Sequence, residues 1–396
     1  MSNQQENNQA KINEILTRGV AEVLPNKEGL AKLMAQKKIK VYLGIDPTGS
    51  LLTLGHSVVL RKLQQFADAG HEVILLIGNG TVRIGDPTGK DTTRPELTDE
   101  KIKENFASWQ AQASKILNFN QIEIRYNGDW LDQLRLPDFI KLMAKTTYQQ
   151  LIERDMFQDR IKNNLPIFTH ELMYPLLQGY DSVAMDVDLE IGGTDQTFNM
   201  MMGRHLQKAY HNKEKFVLTT PIINGTDGRK MSKSYDNFVA LTENPNDMFG
   251  KLMKVTDEEI ITYLTLLTDV PMQQIKAMAD SMLDGANPMG FKKQLAFEVT
   301  KMYHSEAKAQ SAQEHFEKTV QSKEAVEELV VFESQLTALD LAKKARPEES
   351  NSNLRRIIEQ GGLQLNSQKL TDPSMIINIK KGDKLKVGKR AIFTIS

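Results

Sequence analysis

Residues 39–70 read Ile39-Lys-Val-Tyr-Leu-Gly-Ile45, then Asp46-Pro-Thr-Gly-Ser-Leu-Leu-Thr-Leu-Gly-His56, then Ser57-Val-Val-Leu-Arg-Lys-Leu-Gln-Gln-Phe-Ala-Asp-Ala-Gly70. The first piece is short, β-branched and aromatic, which predicts a strand. Asp46-Pro-Thr-Gly49 is turn chemistry. The third piece sets Val58, Leu60, Leu63 and Phe66 at near-helical spacing, and Gly70 can end the helix. Strand, turn and helix in that order put Gly55 and His56 at a helix start. Free amides and the positive end of the helix dipole favour an anionic ligand there.

The alternation continues along the chain. Lys11 to Lys37 is helical in period, with a break near Pro25. His71 to Gly78 is a largely apolar run, as suits a parallel strand buried on both faces. Gly78 to Arg94 holds four glycines and several basic residues. It reads equally well as a loop approaching an anion closely and as a mobile surface loop. Leu97 to Leu151 is helical around one strand at Gln121–Tyr126. Ile167 to Gly179 is predicted to be a helix, with Phe168, Leu172, Leu176 and Leu177 on its apolar side. Its other side carries Tyr174, Gln178 and, just past the end, Asp181. Ser182 to Ile191 reads as a strand. Gly192-Gly193 then opens a helix with Thr194 as N-cap and Asp195, Gln196 and Asn199 in its early turns. Phe216 to Ile223 is another strand. Such alternation predicts an α/β, Rossmann-type doubly wound parallel sheet, with ligands at the carboxyl ends of its strands.

Asn224 to Asn237 is a polar loop containing Lys230-Met-Ser-Lys-Ser234. Beyond it, Glu243 to Val320 is helical, with a Gly-Ala-Asn-Pro break at 285–288. Ser334 to Ser352 reads as a polar linker. Ser352 to Gly362 is a capped helix, followed by short strands at Leu363–Asn366, Ile376–Ile379 and Ala391–Ile395. The expected organisation is a sheet domain over 1–225 with a helical insertion at about 97–160, an α-helical domain over 226–332, and a small α+β module over 333–396.

Length and composition narrow the class. A chain of 396 residues fits two or three domains. Lys plus Arg total 50 against 51 for Asp plus Glu, which argues against a chain-wide nucleic-acid arm but does not exclude a local basic patch. No cysteine is present, which rules out disulfides and thiolate zinc, and the seven histidines form no ligand-spaced cluster, so no resident metal is expected. Met1–Ala10 lacks the apolar core of a signal peptide, and the apolar run Val73–Ile77 is strand-sized. The expectation is a soluble cytoplasmic protein without membrane contact.

Taken together these stretches resemble the bacterial tyrosyl-tRNA synthetases, from about Lys38 to the C-terminus. Leu54-Gly55-His56 looks like the end of the first class I signature, and Lys230-Met-Ser-Lys-Ser234 matches the second, about 175 residues later. Gly192-Gly-Thr-Asp-Gln196 resembles the family's loop before the substrate helix. Tyr174, Gln178 and Asp181 fit its amino-acid pocket pattern Tyr-x-x-x-Gln-x-x-Asp. The resemblance implies activation of L-tyrosine by ATP, with Mg²⁺ accompanying the nucleotide, and transfer of tyrosine to tRNA(Tyr) by a homodimer. It implies that Asp181 and Tyr42 bracket the substrate phenol, that Tyr174, Gln178 and Asp86 hold its ammonium, and that Gln196 lies beside it. Such a pocket is chemically sensible, since an ammonium wants acceptors and a buried phenol wants polar partners. On the nucleotide side the resemblance implies Gly44, Asp46, Thr48, Gly55, His56, Gly192, Asp195, Met231 and Ser232. Lys90, Arg94, Lys230 and Lys233 would meet the phosphates as compact or forked charges.

One position departs from the pattern. The family's first signature usually begins with histidine, and here Thr53 stands there. A hydroxyl donates one hydrogen bond but carries no charge, a loss on the order of 1–3 kcal/mol of transition-state binding; either Thr53 is adequate, or a neighbour such as Lys90 or Arg94 compensates. Thr53 therefore keeps open an RNA-binding paralogue with weak or no charging activity. The sister tryptophan enzyme is the other alternative, against which Asp181 and the tail argue. The C-terminal module resembles an S4-type RNA-binding domain. Arg355 and Arg356 lie on one helix, and Lys380 and Lys381 belong to a local run of basic residues suited to phosphate contacts.

Overall fold

In the computed structural model, residues 3–88, 98–232, 235–321, 327–331, 333–388 and 391–396 are described. The chain forms two compact units, Met1–Glu243 with Lys254–Tyr303, and Asn244–Met253 with His304–Ser396.

The first unit opens with α1 (Asn3–Ile15), β1 (Glu22–Leu24), α2 (Lys27–Gln36), β2 (Lys40–Ile45), α3 (Leu54–Asp68) and β3 (Glu72–Ile77). Then come α4 (Asp99–Ala113), β4 (Ile122–Tyr126) and four short helices, α5 (Gly128–Leu131), α6 (Leu136–Met143), α7 (Tyr148–Ile152) and α8 (Asp155–Lys162). After these follow α9 (Tyr174–Met185), β5 (Leu189–Gly193), α10 (Thr197–His211) and β6 (Phe216–Thr220). The strands lie in the order β1-β6-β5-β2-β3-β4. β2 pairs in parallel with β3, Tyr42 opposite Ile74, and with β5, Tyr42 opposite Glu190. The chain thus winds one way from β2 through β3 to β4 and the other way through β5 to β6. Both faces of the central strands are covered: Val41, Leu43, Val73 and Leu75 are buried on one side, and Tyr42, Ile74 and Leu76 pack with Met185 and Val187 on the other. That double burial is why these strands read as continuous apolar runs.

Three local expectations change. β1 appears where only a break near Pro25 was read. It is a three-residue edge strand, antiparallel to β6, too short to show a period. The predicted strand 182–191 starts only at Leu189, because α9 continues to Met185 and stops at Asp186, whose φ is 48°. The alternating acids Asp186, Asp188 and Glu190 imitate a strand period, but Asp186 accepts from Gln207 and Lys213 as part of a helix cap. Asp181 therefore sits inside α9, on the face of Tyr174 and Gln178 rather than beyond the helix. Thr194 does not cap through its side chain. A 3₁₀ turn at Thr194–Gln196 leads into α10, and the Thr194 carbonyl accepts from Thr197 Oγ1.

α12 (Ile260–Leu267), α13 (Met272–Leu283) and α14 (Pro288–Tyr303) complete the first unit, after α11 (Pro245–Leu252) of the second. The last carbonyls of α12 lack partners within the helix, and Arg18 supplies them, donating to Leu264, Thr265 and Thr268. Arg61 also donates to the Thr268 carbonyl. The buried Lys62 ammonium in turn holds the carbonyls of Ile15 and Arg18.

The second unit contains α11, α15 (Glu306–Phe316), β7 (Glu327–Leu329), β8 (Gln335–Thr337), α16 (Ala338–Ala345), α17 (Asn351–Glu359), β9 (Leu363–Leu365), β10 (Gln368–Leu370), β11 (Ile376–Asn378), β12 (Lys384–Val387) and β13 (Ala391–Ile395). A five-stranded sheet, β10-β9-β12-β13-β7, accompanies the pair β11-β8. The expected linker 334–352 is instead structured. Ala338, Leu341, Ala342 and Ala345 form a buried stripe on α16, packed with Leu354, Ile358, Leu385 and Phe393. Short alanine side chains hide that stripe among the charges of Asp340, Lys343 and Lys344. Arg355, Arg356, Lys380 and Lys381 are all exposed on this module.

Candidate active site

A cleft of about 260 Å³ opens at the carboxyl ends of β2, β3 and β5, where the winding reverses. Gly44 and Asp46 come from the end of β2, Gly78 follows β3, and Gly192 and Gly193 close β5. Thr48, His56, Asp86, Tyr174, Gln178, Asp181 and Gln196, drawn from separate segments, also line it.

Asp181 lines the cleft from a buried position. It is 2% exposed, and it accepts from Trp130 Nε1 at 2.9 Å and from Asn127 Nδ2 at 3.1 Å. Burial pushes its carboxyl well above the ordinary carboxylate range, against the pull of those two donors. Asn127 Nδ2 also lies 3.0 Å from Thr81 Oγ1, whose hydroxyl donates to Asp46 Oδ1 at 2.8 Å. The Tyr174 hydroxyl donates to Asp46 Oδ2 at 2.8 Å, and burial beside Asp46 and Asp86 raises its phenol far above the usual value. Gly78 is required by this network: a Cβ there would fall 1.9 Å from Asp46 Oδ1.

On the β5 side, Gln178 Nε2 donates to Glu190 Oε1 at 3.1 Å. The Lys215 ammonium is fully buried and donates to Glu190 Oε2, to Ser182 Oγ at 2.8 Å and to the Met200 carbonyl at 3.1 Å. Burial lowers the Lys215 ammonium from the ordinary lysine value, while Glu190 works the other way. Tyr42 does not take the place expected of it at the cleft surface. It is 0% exposed, and its hydroxyl lies 2.9 Å from Ser182 Oγ, because its strand position faces the layer holding Met185 and Val187.

At the rim, Gln196 Nε2 donates to Asp86 Oδ2 at 2.8 Å, and Thr88 donates to Asp86 Oδ1 through backbone and hydroxyl. Arg154, stacked over Phe198 at 5.0 Å, donates to Thr88 Oγ1 at 2.6 Å. Asp195 does not line the cleft. Burial beside Asp86 raises its carboxyl.

The two signature segments meet. Thr53 pairs with Ala240 in an antiparallel bridge, and Leu54 N donates to the Val239 carbonyl. Met231 Sδ would lie 3.4 Å from a Cβ on Gly55. Asn237 organises the second signature: it accepts from Ser232 N at 2.8 Å and donates to the Lys230 carbonyl at 3.1 Å. A Cβ at Gly225 would fall 2.3 Å from Asn237, so glycine is needed for that approach. Lys230 is exposed. Thr53 is the N-cap of α3, and its backbone N–H donates to His56 Nδ1 at 3.1 Å, with its hydroxyl 2.9 Å from the same nitrogen. That acceptor role at Nδ1 places the proton of the neutral ring on Nε2. Trp109 meets the His56 ring edge-on at 5.6 Å. Lys90, Arg94 and Lys233 lie outside the described residues.

Among the described lining residues the charged groups are Asp46, Asp86, Asp181 and Glu190, so this floor suits a cation such as an ammonium. No three His, Asp or Glu side chains among the described residues are grouped to hold a metal ion, and no described helix is long and apolar enough to cross a membrane. Asn127, Trp130, Thr81, Ser182, Glu190, Lys215 and Arg154 were not read from the sequence. Only Glu190, beside the Gly192-Gly193 loop, carried a signal in its position.

Known proteins resemble this chain in sequence and in fold. The family model for tRNA synthetases class I (W and Y) matches residues 34–321. The chain is 43% identical over 386 residues to the tyrosine–tRNA ligase of Thermotoga maritima, covering 96% of each protein. It is 43% identical over 378 residues to tyrosine–tRNA ligase 2 of Photorhabdus laumondii, covering 94% of each. In structure it resembles a C-terminally truncated mitochondrial tyrosyl-tRNA synthetase of Aspergillus nidulans, with TM-score 0.66 at 19% identity over 79% of this chain and 98% of that one. It also resembles the Archaeoglobus fulgidus tyrosyl-tRNA synthetase complexed with L-tyrosine, with TM-score 0.62 at 20% identity over 77% and 99%.

Proposed function

The chain belongs to the class I tRNA synthetases that serve tryptophan and tyrosine, and on that premise we propose how its cleft works. Its activity is that of a tyrosine–tRNA ligase: L-tyrosine and ATP give tyrosyl-adenylate and pyrophosphate, and the tyrosyl group then passes to the 3′ end of tRNA. The observation that carries our reading of the pocket is Asp181, a buried cleft-lining carboxylate with both oxygens already oriented by donors. A phenol reaching it donates into a preformed acceptor, whereas phenylalanine leaves that acceptor unpaired. Asp86, Gln178 and Tyr174 surround the position of the substrate ammonium. The carboxylate then faces the mouth, where His56, Thr48 and the backbone at Gly192 meet the ATP phosphates. No covalent enzyme group is needed, because the substrate carboxylate attacks the α-phosphorus and pyrophosphate leaves. Positioning and charge stabilisation do the rest. Lys230, with Lys233, Lys90 and Arg94, would supply positive charge toward the pyrophosphate, and Mg²⁺ would enter with ATP.

Thr53 bears on the paralogue reading. It fixes His56 from the helix cap, which supports a working first signature in which the hydroxyl positions the next histidine. We place the protein in the cytoplasm and assign RNA contact to the C-terminal module, our S4-like domain over 333–396, through Arg355, Arg356, Lys380 and Lys381. We also propose a homodimer through α6. That helix buries Leu142 but turns Leu136, Ile140 and Met143 outward, 72%, 56% and 42% exposed, as one apolar stripe, and Tyr148 just beyond it in the chain is exposed as well. Pyrophosphate exchange into ATP, run in parallel with tyrosine, phenylalanine and tryptophan, tests the pocket. Exchange with tyrosine alone is expected, and exchange with tryptophan in its place would refute the assignment of Asp181.

A further inference from the structure

We infer that the buried Glu190–Lys215 pair is a polarity lock that turns the Gln178 carbonyl toward the substrate ammonium. This inference rests on the reading of Gln178 as an ammonium ligand. An amide offers a donor end and an acceptor end of nearly the same shape, so its orientation is set by its neighbours. Gln178 is half-buried at the cleft wall, and its one hydrogen bond to a described residue runs from Nε2 to Glu190 Oε1 at 3.1 Å. A carboxylate has no proton to give, so it accepts the NH₂ end only. Oε1 of Gln178 is thereby left for the cleft, where a cation would need it.

What holds Glu190 in one rotamer is Lys215. Both side chains are essentially inaccessible, at 2% and 0% exposure. All three protons of the ammonium are committed, to Glu190 Oε2, Ser182 Oγ and the Met200 carbonyl. Ser182 in turn is held by Tyr42, and a Cβ on Gly203 would strike the ammonium, so the pocket around Nζ has no slack. Glu190, on β5, lines the cleft, and Lys215, just ahead of β6, lies behind it. Lys215 does not itself line the cleft, and its influence on Gln178 passes through Glu190. A charged pair is a costly way to fill such a space, because well-packed apolar residues of similar volume often serve stability equally well. A requirement to hold one amide orientation accounts for its presence. Lys215 and Glu190 are therefore positioning residues for amino-acid recognition.

The test compares L-tyrosine with 3-(4-hydroxyphenyl)propanoate, which has the ring, phenol and carboxylate but no amino group. Single variants leave one buried charge unpaired, so the variant of choice is the neutral double replacement Glu190→Gln with Lys215→Met. In it residue 190 can donate as well as accept, and Gln178 is free to turn over. Dissociation constants from calorimetry on the full chain should rise at least tenfold for L-tyrosine and stay within twofold for the amine-free analogue. In pyrophosphate exchange, KM for tyrosine should rise while kcat stays within a few-fold. Equal weakening of both ligands would show a merely structural role, and unchanged tyrosine binding would show that the pair orients nothing; either overturns the inference. Gln178→Leu separates the two levels. If it weakens tyrosine selectively and the double variant does not, only the lock fails. If it weakens neither ligand, the reading of Gln178 as an ammonium ligand fails, and the lock with it.

Discussion

Replacing Asp181 with Asn changes one atom's chemistry in the pocket, and its consequences can be worked from the geometry. Both present oxygens accept, one from Trp130 Nε1 and one from Asn127 Nδ2. Trp130 can only donate there, and Asn127 has its own carbonyl oxygen engaged by Gly80 N at 2.8 Å, so it too presents NH₂. An amide at 181 must therefore point its NH₂ at one of two donors. A substrate phenol loses a charge-assisted acceptor worth about 1.5–3 kcal/mol, which lowers kcat/KM for tyrosine about 10- to 150-fold. Phenylalanine has no hydroxyl to lose, so tyrosine-over-phenylalanine selectivity in pyrophosphate exchange should fall by the same factor. Stability moves differently. Because burial raises the Asp181 carboxyl in the folded chain, the folded state holds a proton that the unfolded state releases near the ordinary value of 3.8. Stability from this group is thus lost as pH rises through the window above 3.8, and the Asn variant should lack that downward slope. The assay pairs exchange kinetics with urea unfolding across pH. A folded Asp181→Asn protein with kcat/KM for tyrosine within threefold of the parent would refute the reasoning.

Other outcomes follow from the same structure. Thr53→Val removes the hydroxyl that meets His56 at the start of α3, costing about 1 kcal/mol. The melting temperature should fall by about 2 °C and exchange should slow, with Thr53→Ser restoring both. Lys62 is pushed down to about 7 by burial and by Arg18 beside it. Between that value and the ordinary 10.5 the unfolded chain binds more protons than the folded one, so this group makes the fold more stable as pH rises. Lys62→Met should flatten the rise in urea midpoint between pH 7 and 9, and an unchanged rise would contradict it. Leu136→Glu with Ile140→Glu puts two charges on the outward stripe of α6, and sedimentation should then show monomer where the parent sediments as a dimer.

Much of the fold was legible because its signals are local. The apolar runs at 40–45 and 72–77, the Asp46-Pro-Thr-Gly49 turn and the periodic helix after it need only nearest neighbours to form, and they predict a parallel sheet with ligands at its strand ends. The cleft-lining residues Asp46, His56, Asp86, Tyr174, Gln178, Asp181 and Gln196 were named from short motifs, and the chain brings them to one cleft. Elements whose periods were shared with a competing pattern were misread. Asp186, Asp188 and Glu190 alternate like a strand while the first of them ends a helix, and the alanines of α16 bury a face without looking apolar.

What only the tertiary structure decided lies between segments distant in sequence. Residue types and spacing determined the sheet, the glycine turns and the helix start after Asp46-Pro-Thr-Gly49, because these depend on backbone preferences within a few residues. They did not determine that Trp130 and Asn127 would hold Asp181, that Tyr42 would face Ser182 beneath the cleft, or that Lys215 would reach Glu190 on the neighbouring strand. A buried polar atom must find a partner, but the sequence does not say which of many donors will be within about 3 Å. Only the packing of β2, β5, β6 and α9 against one another makes that choice.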